Sequence, residues 1–229
     1  MKIFLFITLF VCSIWTEACP LNLSFDSVCR GDLPYNIVLP ECIARAEKGD
    51  PKHITILANY LRPSDGHGDI KESRKWFLKA IDKNYAPAMY YYATATMRAY
   101  PTGKETAHAK LMLYKGAKLG EPNAIAQLGY ELGAGKGEFK GEKDLARSLS
   151  LLLEAAHKKS ETAQRLLVSK YKTQKNYVEA FSWNYVIKQG NVDHRSFKYI
   201  VKHMTSEEIQ KGKARGLDYR RKYSYEACL

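Results

Sequence analysis

The feature that most constrains this chain is that it repeats itself. The block Trp76-Phe77-Leu78-Lys79-Ala80-Ile81 aligns with Met112-Leu113-Tyr114-Lys115-Gly116-Ala117 and with Leu151-Leu152-Leu153-Glu154-Ala155-Ala156, at spacings of 36 and 39 residues. A fourth copy, Trp183-Asn184-Tyr185-Val186-Ile187, follows after a shorter interval of about 32. Three residues before each lead position stands a small side chain: Ser73, Ala109, Ser148 and Ala180. The stretch ahead of each block repeats as well, in His53-x3-Leu57-Ala58, Ala88-x3-Tyr92-Ala93, Ala124-x3-Leu128-Gly129 and Ala163-x3-Leu167-Val168. Apolar residues at this spacing form one face of a helix, and the polar or glycine-rich stretches Pro63 to Gly68 and Gly133 to Gly137 punctuate them. Each unit therefore reads as helix, turn, helix. One such pair cannot bury its apolar face alone, so the units must stack into an all-α solenoid. The small residues let paired helices approach closely, while Trp76, Trp183 and their Met and Leu equivalents are expected to fill the space between layers.

The third unit carries a resemblance to a known family, in Ala124-Ile125-Ala126-Gln127-Leu128-Gly129-Tyr130-Glu131-Leu132-Gly133-Ala134-Gly135-Lys136-Gly137, then Asp144-Leu145-Ala146-Arg147-Ser148 and Glu154-Ala155-Ala156. Tyr177-Val178-Glu179-Ala180-Phe181-Ser182-Trp183 and Gln189-Gly190-Asn191 repeat it in the fourth. These residues resemble the Sel1-like repeats, relatives of the tetratricopeptide repeats, over about residues 47 to 192. The resemblance implies a right-handed α/α solenoid of about four units whose first helices line the concave side. The chain departs from the pattern at His53, where Ala is usual, and at Ala99-Tyr100-Pro101-Thr102-Gly103, which replaces the glycine loop. It is also a residue short between Trp183 and Gly190.

The flanks are of a different kind. Lys2 precedes an apolar run from Ile3 to Trp15, and Thr16-Glu17-Ala18 follows. That is the pattern of a secretory signal peptide over residues 1 to 18, and the run is too short for the roughly 20 apolar residues of a membrane span. The expectation is an exported chain, periplasmic or secreted. A lipid on Cys19 is the weaker alternative, because Thr16 and Glu17 stand where a lipoprotein signal has Leu and small residues. Cleavage would leave Cys19, Cys29, Cys42 and Cys228, an even number, and in an oxidising compartment disulfides are the default. Four cysteines allow three pairings, and the sequence does not choose among them. Residues 19 to 46, with Pro20, Pro34 and Pro40, read as a cysteine-containing cap with no long helix before about Glu41. In residues 193 to 229, Thr205-Ser206-Glu207-Glu208 predicts a helix start and a closing helix to about Lys222, followed by a basic tail.

Little in the sequence has the spacing that catalysis or metal binding needs. Gly135-Lys136 lacks both the preceding Gly and the following Ser or Thr of a phosphate loop. Asp65-Gly66-His67-Gly68-Asp69 opens like a calcium loop, but its sixth and twelfth positions are Ile70 and Trp76. No CxxC pair suggests zinc. His108, His157, His194 and His203 share no ligand spacing, and no serine sits in a G-x-S-x-G setting. The reading is therefore of no cofactor, no metal and no enzyme. A hydrolase with an unrecognised site is the third-ranked alternative.

Charge is the remaining signal, because 36 Lys and Arg stand against 24 Asp and Glu, a net +12. The basic residues concentrate at Lys158-Lys159, Lys170-x-Lys172 and Lys211 through Lys222, where Tyr219, Tyr223 and Tyr225 interleave. An acidic protein or a membrane surface suits this charge, while export disfavours nucleic acid. The expected partner-binding residues lie on the first helices: Tyr90 and Tyr91, which flank the core position Tyr92, together with Lys52 and Lys170. The family resemblance implies adaptors and scaffolds, and among exported bacterial members immunity proteins that sequester delivered toxins, notably phospholipase effectors. Toxin neutralisation is the leading expectation, with an envelope scaffold for assembly or signalling second.

Overall fold

The computed structural model describes residues 35–63, 69–99, 101–136, 143–192 and 194–223, with the backbone alone for 35–39 and 41. The signal segment, Cys19, Cys29, Cys228, the Asp65–His67 loop, Tyr100, Gly137 and Tyr225 lie outside these residues. All regular structure among the described residues is helical: α1 Tyr35–Glu47, α2 Pro51–Tyr60, α3 Ile70–Ile81, α4 Ala86–Arg98, α5 Gly103–Lys118, α6 Pro122–Ala134, α7 Leu145–His157, α8 Glu161–Thr173 and α9 Tyr177–Ile187. A 3-10 turn at Arg195–Phe197, the short α10 Lys198–Val201 and the long α11 Ser206–Lys222 complete it. Helices pack in sequence-adjacent pairs, α2 with α3, α4 with α5, α6 with α7 and α8 with α9. These are the four units of the repeat.

The chain enters each of the four units through one recurrent turn. Its left-handed residue is Gly49 (φ 84°), Asn84 (φ 55°), Gly120 (φ 86°) or Lys159 (φ 67°). The residue after it bonds back to the helix, Tyr85 N–H to the Ala80 carbonyl at 3.2 Å, Glu121 to Gly116 at 3.0 Å and Ser160 to Ala155 at 3.0 Å. This is the helix-ending motif that satisfies otherwise orphaned carbonyls. The same residue then becomes the N-cap of the next helix: the side chains of Asp50, Glu121 and Ser160 accept from the N–H groups of His53, Ala124 and Ala163. One turn therefore closes one helix and opens the next, which fixes the angle between units.

The small residues sit where the paired helices cross. Ser73, Ala109, Ser148 and Ala180 are all buried, and the Ser73 hydroxyl donates to the Ala58 carbonyl at 2.6 Å. A Cβ at Gly129 would stand 3.2 Å from the Leu152 side chain and from the Ser148 carbonyl oxygen. The lead positions need correction. Trp183 is fully buried and Met112 nearly so, but Trp76 is only half-buried, with the Lys79 ammonium 3.5 Å from its ring centroid, and Leu151 is half-buried too. The residues that fill the space in those units come one position later, at Phe77, Leu113 and Leu152. A helix residue lies about 100° round from its neighbour, so small differences in helix rotation decide which of two adjacent apolar side chains points inward.

Both ends differ in detail from their expected form. Helix α1 begins at Tyr35, ahead of Pro40, rather than near Glu41. Pro40 falls in the second turn, where its missing N–H forfeits a single bond to Asn36, and the helix forms regardless. Cys42, on α1, is buried and disulfide-bonded. At the other end, Thr205 and Glu208 form a reciprocal capping box that opens α11. This helix lies against α9 through two glycines. A Cβ at Gly212 would stand 2.8 Å from the Phe181 ring, and one at Gly216 2.8 Å from the Tyr185 ring. Trp183 is covered by Tyr219 of α11, with centroids 4.7 Å apart, and His157 stacks between Trp183 and Tyr223. Burial, and then the Lys222 charge, hold the His157 pKa below its ordinary value.

Trp183→Ala should lower the stability of the full chain by about 3–5 kcal/mol in chemical denaturation, the range for emptying a buried aromatic site. Gly216→Ala should also destabilise, by about 1–3 kcal/mol, even though Ala favours a helix by about 1 kcal/mol over Gly. A stabilised Gly216→Ala chain would mean that α11 does not lie on Tyr185.

Candidate partner-binding face

At two of the three junctions between units the first helices touch extensively, α2 with α4 and α6 with α8. No two second helices of neighbouring units make as extensive a contact among the described residues, and we call the side of the stack formed by the first helices its inner face. On α4, Ala88, Met89, Tyr92 and Ala93 face the core. Tyr92 is buried, with its hydroxyl 2.8 Å from Nδ1 of His108 on α5. Tyr90 and Tyr91 do not point wholly outward. Both are half-buried against the core, edge to face with centroids 5.2 Å apart.

Charged groups gather round this pair. Burial raises the phenol pKa of Tyr90, opposed by a hydrogen bond with Thr162, raised further by Glu121 and opposed again by Arg98 and Arg62. Tyr91 is raised by burial and then by the charge of Glu121. Burial lowers the Arg62 pKa, and Arg98 lowers it further. Arg62 also donates to Asn59 Oδ1 at 3.3 Å, which fixes its stem. Tyr85, the N-cap of α4 and the one of the four handover residues with no side-chain cap bond, is raised by burial and by Asp50 and Glu121. The arrangement is a half-buried aromatic surface edged by two arginines, with a carboxylate below it.

That carboxylate is Glu121. It is almost wholly buried, at 6% exposure, and it accepts from the Ala124 N–H and from Asn123 Nδ2, whose Oδ1 in turn accepts from the Ser160 hydroxyl at 2.8 Å. This bridge ties the start of α6 to the start of α8. Burial raises the Glu121 pKa, with the Ala124 and Asn123 hydrogen bonds working against it.

The two expected lysines do not join the tyrosines. Lys52 is in the first turn of α2, at the opposite end from Arg62. Lys170 sits in the last turn of α8, where its ammonium donates to the Leu145 carbonyl and the Ser148 hydroxyl, each at 3.3 Å, and burial lowers its pKa. It ties α8 to the first turn of α7 rather than offering a free cation. Tyr219 and Tyr223 are similarly engaged on Trp183 and His157. Sequence reasoning missed Arg62, Arg98, Tyr85 and Glu121. A signal was present at one of them, since Glu121 precedes Pro122 at the N-cap register of Asp50 and Ser160, where Glu is unusual. Among the described residues no group of three His, Cys, Asp or Glu side chains is placed to hold a metal, and no helix is long and apolar enough to cross a membrane.

Because the Glu121 pKa is raised on folding, the folded chain binds more protons than the unfolded one just above the ordinary carboxylate range. This group's contribution to stability therefore falls as pH rises through that window. Relative to the parent chain, Glu121→Gln should gain stability as pH is raised from about 4.5 to 7. Denaturation midpoints of both chains across that range check the sign, and a difference that does not change with pH contradicts it.

No protein-family model and no curated protein matches the chain. Among solved structures it is similar to a protective antigen present in uropathogenic Escherichia coli strains that displays an SLR fold, with a TM-score of 0.63 and 23% identity over 86% of this chain. It spans 43% of that antigen's length, less than half. It is also similar to a Sel1 repeat protein from Oxalobacter formigenes, with a TM-score of 0.56 and 20% identity, covering 82% of this chain and 78% of the other. The paired helices, the recurrent turn and these two likenesses agree that the chain has the Sel1-like repeat fold.

Proposed function

We propose that this chain is a non-catalytic binding module that holds a protein partner on the inner face of its helical stack. The observation that carries the reading is the Tyr90–Tyr91 pair, half-buried and edged by Arg62 and Arg98. Large aromatic side chains with few rotamers, and arginine beside them, are the residue types that concentrate binding energy in protein interfaces. Their partial burial costs little further ordering when a partner arrives. The fold supplies an extended surface for such docking, although fold alone does not assign function.

Within this class we propose the more specific occupation of an exported, immunity-type protein that sequesters a bacterial toxin, with a phospholipase effector as the first candidate. Support comes from the leader-like pattern of residues 1 to 18, from the disulfide at Cys42 and from the basic charge, all of which suit stoichiometric capture outside the cytoplasm. The second reading, a scaffold for envelope assembly, uses the same face.

The test is capture of a partner from the native envelope and secreted fractions by the intact chain. Tyr90→Ala with Tyr91→Ala should weaken the captured complex by tenfold or more, on the order of a hot-spot loss. Arg98→Gln, at an exposed position, should act mainly through association rate and salt dependence. Because both tyrosines also touch the core, thermal melts of each variant must accompany the affinities. A folded double variant with unchanged affinity refutes the inner-face assignment. Addition of the chain should suppress the activity of a toxin partner in a one-to-one ratio, whereas a scaffold would leave its partner's activity intact.

A further inference from the structure

A second surface lies where the turn between α8 and α9 meets α10. Tyr177, at the start of α9, stacks on His203 with centroids 4.7 Å apart and planes 13° from parallel. Tyr199 of α10 meets the same His203 edge-on at 5.0 Å. The Lys172 ammonium stands 4.7 Å from the Tyr199 ring centroid, and Tyr199 is 52% exposed. Lys198 and Lys202 flank Tyr199 in α10 and its cap, and Lys175 is the left-handed residue of the α8–α9 turn (φ 58°). Lys175, Lys198 and Lys202 are all exposed. None of these four lysines makes an ion pair among the described residues. Of the acids nearest in the described chain, Glu179 is paired with Arg215, Glu208 folds back on the Thr205 N–H at 2.8 Å, and Glu207 is exposed. The lysines therefore outnumber what could neutralise them.

We propose that this surface docks on an anionic phospholipid membrane, with Tyr199 at headgroup depth and Lys172, Lys175, Lys198 and Lys202 around it. Two features favour lipid over other anions. The cations are lysines, flexible point charges suited to a diffuse layer of headgroups, whereas fixed carboxylates or phosphates are better met by the planar fork of arginine. The rings are also largely spent on one another: His203 stacks on Tyr177, and Lys172 covers Tyr199. Few open ring faces remain on which nucleobases could stack. An exposed tyrosine with lysine stems beside it is instead the composition of a membrane interface, where both side chains keep polar ends in water and apolar bodies below it. The surface is formed by α8 to α10 and does not depend on the inner-face reading.

Sedimentation of the intact chain with vesicles tests it. Binding is expected to vesicles of equal parts phosphatidylglycerol and phosphatidylcholine, to weaken as salt is raised, and to be absent with phosphatidylcholine alone. Each lysine near an anionic surface is worth about a fivefold change in partitioning, so Lys198→Gln with Lys202→Gln should weaken binding by about 25-fold. The matched pair Lys115→Gln with Lys118→Gln, also exposed, should stay within about twofold. Tyr199→Ala should weaken binding at a salt concentration where the charges are screened. Unchanged melting temperatures show that the variants are folded. No binding to the anionic vesicles overturns the proposal, as does an equal loss in both lysine pairs, which would make net charge the sole cause. Tighter binding to a single-stranded oligonucleotide or to polyglutamate than to the vesicles overturns it as well.

Discussion

Everything in this structure depends on how closely its paired helices approach. Where α2 crosses α3, the Ser73 hydroxyl reaches the backbone carbonyl of Ala58 on the facing helix. Where α4 meets α5, a Cβ added at Gly116 would stand 3.3 Å from the Met89 Cβ. Helices packed at small residues bring backbone near backbone, and the next side chain along then enters the groove so formed. The fully buried Phe77, Leu113 and Trp183 occupy those places. Small residues bury little apolar area themselves, so stability comes from these large neighbours, and the small residues decide only that the large ones fit. The left-handed handover turns complete the constraint. With the crossing distance and the turn both fixed, each unit has essentially one way to stack on the last.

A stack built this way has open ends, and this chain closes its C-terminal end with another close approach. Gly212 and Gly216 let α11 lie on Phe181 and Tyr185, and the Ser182 hydroxyl donates to the Gly212 carbonyl at 3.1 Å. The polar contacts set the register. Glu179 is paired with Arg215 and accepts from the Tyr219 hydroxyl at 3.0 Å. Tyr219, desolvated and facing that carboxylate, has its phenol pKa pushed far up and stays protonated as the donor. Such half-buried charge networks contribute less to net stability than to fixing which arrangement forms, because desolvation offsets much of the attraction. The stabilisation itself comes from Trp183, whose Nε1 has no hydrogen-bond partner among the described residues and whose burial is a matter of packing.

The repeat was legible because its signal is spatial as well as local. Small residues recur at the crossing points, apolar residues recur around them, and both recur in each unit. What could not be read was rotation about each helix axis, since Trp76 and Phe77, or Leu151 and Leu152, satisfy the same pattern until the neighbouring unit is in place. The glycines of α11 were hidden for a different reason. Lys211-Gly212-Lys213 and Arg215-Gly216 look like a solvated basic run, and only the rings of α9 reveal them as contact points. The inner face was legible in part. Three consecutive tyrosines on a helix announce that not all can enter the core, but the arginines beside them come from the end of α2 and the end of α4, and no sequence interval links the two.

The same limit governs the reading of charge. A lysine in a sequence carries one positive charge wherever it stands, yet in the folded chain its role depends on what lies within reach. Lys170 donates to the Leu145 carbonyl and the Ser148 hydroxyl and so ties the end of α8 to the first turn of α7. Arg74 is paired with Glu105, and Arg215 with Glu179, so both tie one helix to another. Lys79 lies over Trp76 and shields a ring that the core did not take in. Cations paired with carboxylates or bonded to the backbone are partly neutralised or desolvated and contribute little to an external field, whereas a ring contact such as that of Lys79 or Lys172 leaves the charge in place. Lys175, Lys198 and Lys202, two positions or fewer from an exposed or stacked aromatic, have no such pairing among the described residues. The net +12 of the chain thus divides into charge that holds the solenoid together and charge that remains available outside it. Part of the second kind, Lys175, Lys198 and Lys202, lies beside the exposed Tyr199 near α10, on different elements from the tyrosines of α4, so the two proposed surfaces share no residue.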